Sequence, residues 1–532
     1  MPAVTLLDLP DELLDQILGE LKWGAPAPTF ELDGLDFYEN LARNTANIQP
    51  VRLTCRRLAL RASALLLPIA TVSLCDPSSV DRLEQIARHE LLAPHVKAVH
   101  AYFAFYEDVV AMDMRELARH LLRVWRGSEL PAGSMWLGVF DDWDAFSRES
   151  VDGVDGVDGA AQATQTAQTR ESMQLLLRLY LEYRRRFHAQ PREGGYARLI
   201  QRIARAMAQM PRATRLILDD APDHPQMPDL QPASKTAVVS LPTAGELGWL
   251  VTPTTWATAL EQERNSPPIE PLFALPLAVH RAGTTLTGLR IHRLPLPSTF
   301  PLWVGPDPDW ERPPPPEAEE LGEACRSLRV FQFTPGYEFW DWRAGPRTMK
   351  AWPGRPDSLF LPWTRIGEVL EWILFGAGGL TDLELNLEKL SFGGDLNGIL
   401  PLPRPLPWPS LRALRLRNGD LDSAALAHCL EVTSGTLTQL HLNQMRLGPG
   451  SWAEVIDHLR DCCSAARGRL TVRIRPPEGG EFGTSLLSDE DREYLGALFV
   501  PGDDGLSAVD NFVQGLSEGN PSVEAGRSPV SS

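Results

Sequence analysis

The stretch LRALRL, residues 411–416, places leucine at positions 411, 414 and 416. The last two leucines are two residues apart, which puts both side chains on one face of a β-strand. The same order of apolar residues returns as LTQLHL at residues 437–442. A short strand that recurs at a short interval predicts structural units that stack on one another, because one unit alone cannot bury its apolar face.

This strand pattern occurs six times along the chain. It begins at Ala213 (ATRLIL), Leu286 (LTGLRI), Leu328 (LRVFQF), Leu380 (LTDLEL), Leu411 and Leu437. Successive starts are 73, 42, 52, 31 and 26 residues apart. Only the last two intervals approach the leucine-rich-repeat period of about 20–29 residues, so the longer ones require insertions. Helical segments precede several of the strands, and we expect an irregular leucine-rich-repeat-like α/β solenoid.

The overall composition excludes some classes of partner. Lys and Arg number 51 and Asp and Glu 69, which gives a formal net charge of −18 over 532 residues. Such a chain is poorly suited to nucleic acid or to an anionic membrane surface. Six scattered cysteines without a CxxC pair are typical of a reducing compartment. Neither a signal peptide nor a spanning helix is expected, so we predict a cytoplasmic or nuclear protein.

The segment LLDLPDELLDQILGEL, residues 6–21, predicts an amphipathic helix. Pro10 suits the first helical position, where a missing N–H costs nothing. Apolar residues recur every fourth position and two more leucines widen the stripe, which comprises Leu9, Leu13, Leu14, Ile17, Leu18 and Leu21. A stripe of this width predicts contact with the helix's own domain on one side and with another molecule on the other.

The same segment resembles the start of the F-box, with Leu-Pro, a Glu-Leu-Leu step and Ile-Leu one turn later. Further along, VRLTCRRLALRA, residues 51–62, is similar to the later F-box helix. The order of segments over residues 6–21 and 51–106 looks like F-box proteins of filamentous fungi, in which the box leads into irregular leucine-rich repeats. Two departures are a longer link between the box helices, residues 23–50, and leucine at position 58 where an aromatic residue is common.

The resemblance implies an N-terminal all-helical F-box that binds a Skp-type adaptor and, through it, cullin and RING subunits. The adaptor-binding residues that it implies are Leu9, Pro10, Leu13, Leu14, Ile17, Leu18, Leu53, Cys55 and Leu58. The alternative is that residues 6–21 form an ordinary terminal helix that covers the end of the solenoid.

Composition shifts suggest five regions. The low-complexity segment VDGVDGVDGAAQATQTAQTR and the Gly- and Ser-rich end of the chain are typical of flexible segments. The expected divisions are an F-box at 1–68 with a loop insertion at 23–50, first solenoid units at 69–150, a linker at 151–170, the solenoid with Pro-rich insertions at 171–500, and a disordered tail at 501–532.

Residues that alternate with the structural leucines should share the opposite face of each strand. Nearly all of them are polar, and repeat proteins commonly bind their partners on such a face. The candidate substrate-binding residues are Arg290, His292, Gln332, Asp382, Glu384, Arg415, Arg417, Gln439 and His441. The alternative is a solvated face on which Glu384 pairs with Arg415 of the next strand.

An aromatic-rich insertion, residues 336–363, is a second candidate surface. It contains Trp340 and Trp342, and tryptophan is enriched at the energetic centres of interfaces. Aromatic residues in a long loop can equally fold back over the core.

Catalytic and metal-binding patterns are weak. FGAGGL, residues 375–380, follows a helix and precedes a strand, so its glycines are better explained as a helix end than as a phosphate loop. DDWD at 141–144 and DDAPDH at 219–224 lack the spacing of a hard-cation loop, and the second lies where turn residues are expected. We therefore expect no catalytic residue, no metal and no cofactor.

The resemblance to F-box proteins implies a non-enzymatic substrate receptor of a Skp–cullin–F-box ubiquitin ligase, in which the repeats hold a target protein. The alternative is a leucine-rich-repeat scaffold without a ligase role.

Overall fold

A computed structural model describes seventeen stretches of the chain. They are residues 9–23, 48–126, 135–148, 162–191, 195–220, 251–255, 270–292, 316–334, 372–386, 408–421, 423–433, 435–447, 451–465, 470–475, 478–479, 498–499 and 507–514.

The helices of these stretches differ in length from one turn to 28 residues. They are α1 (Asp11–Trp23), α2 (Arg56–Leu66), α3 (Pro77–Arg88), α4 (Asp108–Met112), α5 (Met114–Arg126), α6 (Met135–Arg148), α7 (Gln162–Ala189), α8 (Gly195–Ala208), α9 (Glu270–Arg281), α10 (Pro316–Ala324), α11 (Ser423–Thr433), α12 (Trp452–Ala465) and α13 (Ala508–Val513). Residues 48–52, 372–376 and 498–499 are also helical, and Ala93–His95 form a 3-10 helix.

The strands are all short. They are β1 (Ile69–Ser73), β2 (Ala98–Tyr102), β3 (Arg215–Asp219), β4 (Gly288–His292), β5 (Val330–Thr334), β6 (Asp382–Asn386), β7 (Ala413–Arg417), β8 (Asp420–Leu421), β9 (Gln439–Asn443), β10 (Arg446–Leu447), β11 (Thr471–Ile474) and β12 (Glu478–Gly479).

Nine of the strands form one parallel sheet in the order β1-β2-β3-β4-β5-β6-β7-β9-β11. Each strand pairs with the next one along the chain, so each connection crosses from the end of one strand to the start of its neighbour. Where the structure describes these crossovers, they contain helices, for example α3 between β1 and β2. Because the order never reverses, the described sheet has no switch point of the kind that holds ligands in doubly wound folds.

The strands are in register, and this arranges the core in rows. Leu216 on β3 pairs with Leu289 on β4, and Phe331, Leu383 and Leu414 continue the row on β5, β6 and β7. All five side chains are at most 1% exposed. The second apolar position of each strand forms a parallel row two residues further on. These two rows and the helices α3 and α8–α13 belong to one continuous core that extends from Ala70 to Val513.

The residue sequence explains how individual crossover helices start and attach. Asp76 caps α3 by accepting a hydrogen bond of 3.0 Å from the backbone N–H of Ser78, and Pro77 occupies the first helical position. Arg202 on α8 donates to Glu84 on α3 at 2.7 Å and to Asp81 at 2.5 Å. These contacts hold two adjacent crossover helices together on the core side of the sheet.

The crossover from β2 to β3 contains a helical subdomain with its own core. The helices α4, α5, α6 and α7 pack around the fully buried Trp143 and Tyr183. The backbone N–H of Glu107 donates to Tyr183 Oη at 3.0 Å, which ties the start of α4 to α7. Residues 69–150 were expected to hold the first solenoid units, but after β2 they are mainly helices of this subdomain. In addition, α7 begins at Gln162, inside the segment 151–170 that was predicted to be a linker.

A second, three-stranded parallel sheet has the order β12-β10-β8. Its strands β8 and β10 follow β7 and β9 after a tight change of direction. At these turns Asn418 has φ 55° and Gln444 has φ 52°. Both residues have a left-handed backbone conformation. The chain therefore turns out of the main sheet in the same way after β7 and after β9.

The C-terminal helix α13 corrects the expectation of a tail that is disordered from residue 501. Ser507 and Asp510 form a capping box, and Val509, Phe512 and Val513 are at most 2% exposed. Apolar residues spaced three and four apart account for the helix. The composition of the surrounding chain obscured this short pattern.

The expected fold class, an N-terminal all-helical F-box followed by an irregular leucine-rich-repeat solenoid, is wrong. The structure is organised around the nine-stranded all-parallel sheet, with helices, as an α/β protein. In the described N-terminal residues α1 packs on α2, and α2 ends two residues before Pro68, after which β1 begins at Ile69. Leu67 already packs against the main core, so the helix pair continues directly into the sheet rather than forming a separate all-helical unit.

Candidate partner-binding surfaces

Charged contacts hold the N-terminal helix pair α1–α2 together. Arg57 Nε donates to Asp11 Oδ1 at 3.1 Å, and the same guanidinium donates to the carbonyl oxygen of Leu9 at 2.8 Å. Arg61 binds Asp11 and also Asp15, the latter at 2.9 Å. Hydrogen bonds lower the pKa of Asp11 below its usual value, and the one from Arg57 has a larger effect than the one from Arg61. The ionised carboxylate is therefore part of the contact between the two helices.

The apolar side chains of this helix pair and of the turn before α2 divide into two sets. Leu14, Leu18 and Leu58 are at most 5% exposed and form its internal packing. In contrast, Leu13 is 46% exposed and Leu53 is 79% exposed. The other residues expected to contact an adaptor are Pro10, which is exposed, and Leu9, Ile17 and Cys55, which are half-buried.

Leu60, which the sequence analysis did not select, is 57% exposed on α2. Its signal was a leucine on the side of the helix opposite to the buried Leu58. Next to Leu53 an open cleft adds apolar surface, and its lining consists of Gln49, Arg52, Leu53, Leu66, Leu67 and Leu92.

The sheet brings nine of the eleven predicted substrate-binding residues to one face. The register places Arg290, Gln332, Glu384, Arg415 and His441 in one row across five neighbouring strands. Asp382 and Gln439 lie one step before this row on the same face, and His292 and Arg417 one step after it. Trp340 and Trp342 fall outside the described residues.

Glu384 is the centre of the polar row. Its side chain is 8% exposed, and it accepts a hydrogen bond of 3.3 Å from Gln332 Nε2. Arg415 and Arg417 approach its carboxylate oxygens at 3.8 and 3.4 Å. The pairing of Glu384 with Arg415 is the one suggested by the alternative of a solvated face. However, both residues are buried rather than solvated, so their charges are held in fixed positions.

The sequence analysis did not connect a second polar group, which consists of His100 in the middle of β2, Asp219 at the end of β3 and His292 at the end of β4. Asp219 Oδ2 lies 3.3 Å from His100 Nε2 and 3.6 Å from His292 Nδ1. His100 is 1% exposed and Asp219 is 4% exposed. Asp219 had been assigned to a turn because of the following DAPDH, but it is the last residue of β3. The available signal was a histidine on each neighbouring strand, one at the end of β4 and the other two residues before the end of β2.

A carboxylate between two imidazoles orients their rings and stabilises whichever of them is protonated. The parts of the chain that the structure describes contain no group of three or more His, Cys, Asp and Glu residues that could hold a metal ion. The cysteines are free thiols, and burial raises the pKa of Cys325 and of Cys429 to about 12, which makes both poor nucleophiles.

No helix within the described ranges is long and apolar enough to cross a membrane. No protein-family model matches the chain, and comparison with curated proteins and with solved structures gave no match.

Proposed function

We propose that the protein is a non-catalytic substrate receptor of a Skp–cullin ubiquitin ligase. In this proposal the helix pair α1–α2 docks a Skp-type adaptor, which connects to cullin and RING subunits. The polar face of the nine-stranded sheet binds the target protein. The proposed location is the cytoplasm or the nucleus, where such ligases act.

The observation that carries the proposal is the division of leucines on the helix pair. Leu14, Leu18 and Leu58 already satisfy the packing between the helices and their own chain. Leu13, Leu53 and Leu60 are left with about half or more of their surface in water. Leu13 and Leu60 are on the adjacent helices α1 and α2, and Leu53 is in the turn before α2. Exposed leucines are typical of surfaces that bind a partner helix in a groove. The cleft beside Leu53 extends this surface.

The polar row supports the second part of the proposal. The buried Glu384 holds Arg417, whose side chain is 37% exposed, at 3.4 Å, so a partner would meet a preorganised guanidinium. Preorganisation lowers the entropy that binding must overcome. Since the neighbouring strands of a sheet lie about 4.8 Å apart, an extended target segment could contact several positions of the row.

The mechanism would be proximity rather than bond chemistry by this chain. Holding a target lysine near a charged conjugating enzyme turns an encounter between two molecules into a reaction within one complex. The effective concentration then depends on how the complex places the two sites.

The test is co-purification with a Skp-type adaptor. The variant combines Leu13→Asp with Leu53→Asp, because both side chains are exposed and should not be needed for folding. Leu177→Asp is the matched control, since Leu177 on α7 is 47% exposed against 46% for Leu13. The proposal expects wild type and the control to retain the adaptor and the double variant to lose it. Failure of wild type to bind, or equal binding by all three, refutes the proposal and favours the scaffold without a ligase role.

A further inference from the structure

The long helix α7 of the helical subdomain has two apolar faces. One contains Leu175, Leu176, Leu179 and Tyr183, which are at most 2% exposed in the subdomain core. The other contains Leu177 and Leu181, which are 47% and 55% exposed. Within the residues that the structure describes, packing of the subdomain accounts for the first face only.

The exposed face follows the spacing of a coiled-coil seam. Its residues are separated by four, three, four, three and four positions, and they are Arg170, Gln174, Leu177, Leu181, Arg184 and His188. This alternation keeps one stripe facing a partner helix along successive turns. Leu177 and Leu181 are the apolar centre of the seam, and polar residues continue it on either side.

The charges beside the seam are mainly positive, and the exposed Glu171 next to Arg170 is the exception on this part of α7. Arg178 and Arg184 are exposed next to the leucines, and Arg170 is exposed one turn beyond Gln174. The nearby Glu182 is engaged by Arg185 at 2.7 Å and by Arg186 at 2.8 Å. Its negative charge is therefore matched within α7 itself. The seam is a basic surface on a chain whose net charge is −18.

We propose that α7 is a docking site for an acidic amphipathic helix of another protein. Leucines of that helix would pack on Leu177 and Leu181, and its flanking carboxylates would pair with Arg178 and Arg184. A second copy of this chain fits less well, because two such seams would bring arginines together. The inference is independent of the proposed ligase role, since α7 is distinct from the helix pair α1–α2 and from the polar face of the sheet.

The test uses two fluorescent helical peptides, each of three heptads with leucine at both seam positions. One has glutamate at all flanking positions and the other has lysine. Fluorescence anisotropy with the full chain should show binding of the acidic peptide at least about tenfold tighter than of the basic peptide. The double variant Arg178→Glu/Arg184→Glu should reverse this preference, an effect that unfolding cannot mimic.

Two further variants complete the design. Leu177→Asp/Leu181→Asp should abolish binding of the acidic peptide, whereas Val432→Asp should leave it unchanged, because Val432 on α11 is 42% exposed and lies outside both proposed surfaces. Equal binding of both peptides, or binding of neither, overturns the proposal. It is also overturned if sedimentation shows a wild-type dimer that Leu177→Asp/Leu181→Asp converts to a monomer, because the seam is then occupied by a second copy.

Discussion

The buried carboxylate of Asp510 fastens α13 to the last strand of the main sheet. It is 0% exposed and accepts hydrogen bonds of 3.0 Å from the backbone N–H groups of Ile474 and Ser507. Asp510→Ala would leave both donors buried without this acceptor. Each unsatisfied donor costs about 1–3 kcal/mol. The substitution also removes the ion-pair partner of Arg475, whose Nη1 lies 4.0 Å from the carboxylate.

We therefore expect Asp510→Ala to destabilise the attachment of α13 by about 3 kcal/mol. The assay is hydrogen exchange by mass spectrometry, because detachment of one helix is a local opening rather than global unfolding. An opening that is about 3 kcal/mol easier should speed exchange of the Ile474 amide by about 100-fold. Asp510→Asn keeps one oxygen acceptor and should show a smaller effect.

Asp461→Ala is the control for loss of a carboxylate, since Asp461 is exposed on the neighbouring α12. This variant should change exchange rates little, as surface substitutions do. If Asp510→Ala leaves exchange in residues 470–475 and 507–514 at the wild-type rate, the carboxylate does not hold α13 and the reasoning fails.

Three other substitutions test separate parts of the fold. Gly376→Ala would place a Cβ 2.7 Å from the Cα of Gly322 on α10. We therefore expect the free energy of unfolding, measured in urea, to fall by about 2–3 kcal/mol. Gly435→Ala is the control and should cost far less, because its Cβ would have no atom within 4 Å. Gln444→Gly should stabilise by up to about 1 kcal/mol, because the residue has φ 52°; a lower unfolding midpoint would contradict this strain argument. Hydrogen bonds from its arginine neighbours lower the pKa of Glu182 from 4.5 to about 2. Its stabilising effect is therefore complete above pH 4.5 and disappears towards pH 2, so the difference in urea midpoint between wild type and Glu182→Gln should shrink over that range.

The strand positions could be predicted from the sequence because a packed parallel sheet requires apolar residues at every second position. The six strand segments beginning near Ala213, Leu286, Leu328, Leu380, Leu411 and Leu437 are strands in the structure. Their in-register pairing also follows from the shared pattern, since a slip of one residue would turn the leucines away from the helices.

Other elements could not be predicted because their information is not local. The core of the helical subdomain and the core of the main sheet are both covered by amphipathic helices. Hydrophobic periodicity alone therefore does not show to which core α5 or α7 belongs. The contact of Asp219 with His100 and His292 forms only because distant strands become neighbours in the sheet. His100 and Asp219 are 119 positions apart in the sequence. Which leucines of α1–α2 are buried likewise depends on how the two helices pack. Arg57 and Arg61 fix this packing by binding Asp11 and Asp15 of α1.

The unreversed strand order also determines how the sheet would respond to mechanical force. The first and last strands occupy opposite edges, so pulling on the chain ends would load one edge strand at a time and peel the sheet rather than shear it. Each released strand would add the length of its crossover. The 26 residues from the start of β7 to the start of β9 and the 73 from β3 to β4 would lengthen the chain by roughly 90 Å and 250 Å. A force–extension trace would then show steps of unequal length. Their order would follow the order of the crossovers along the chain.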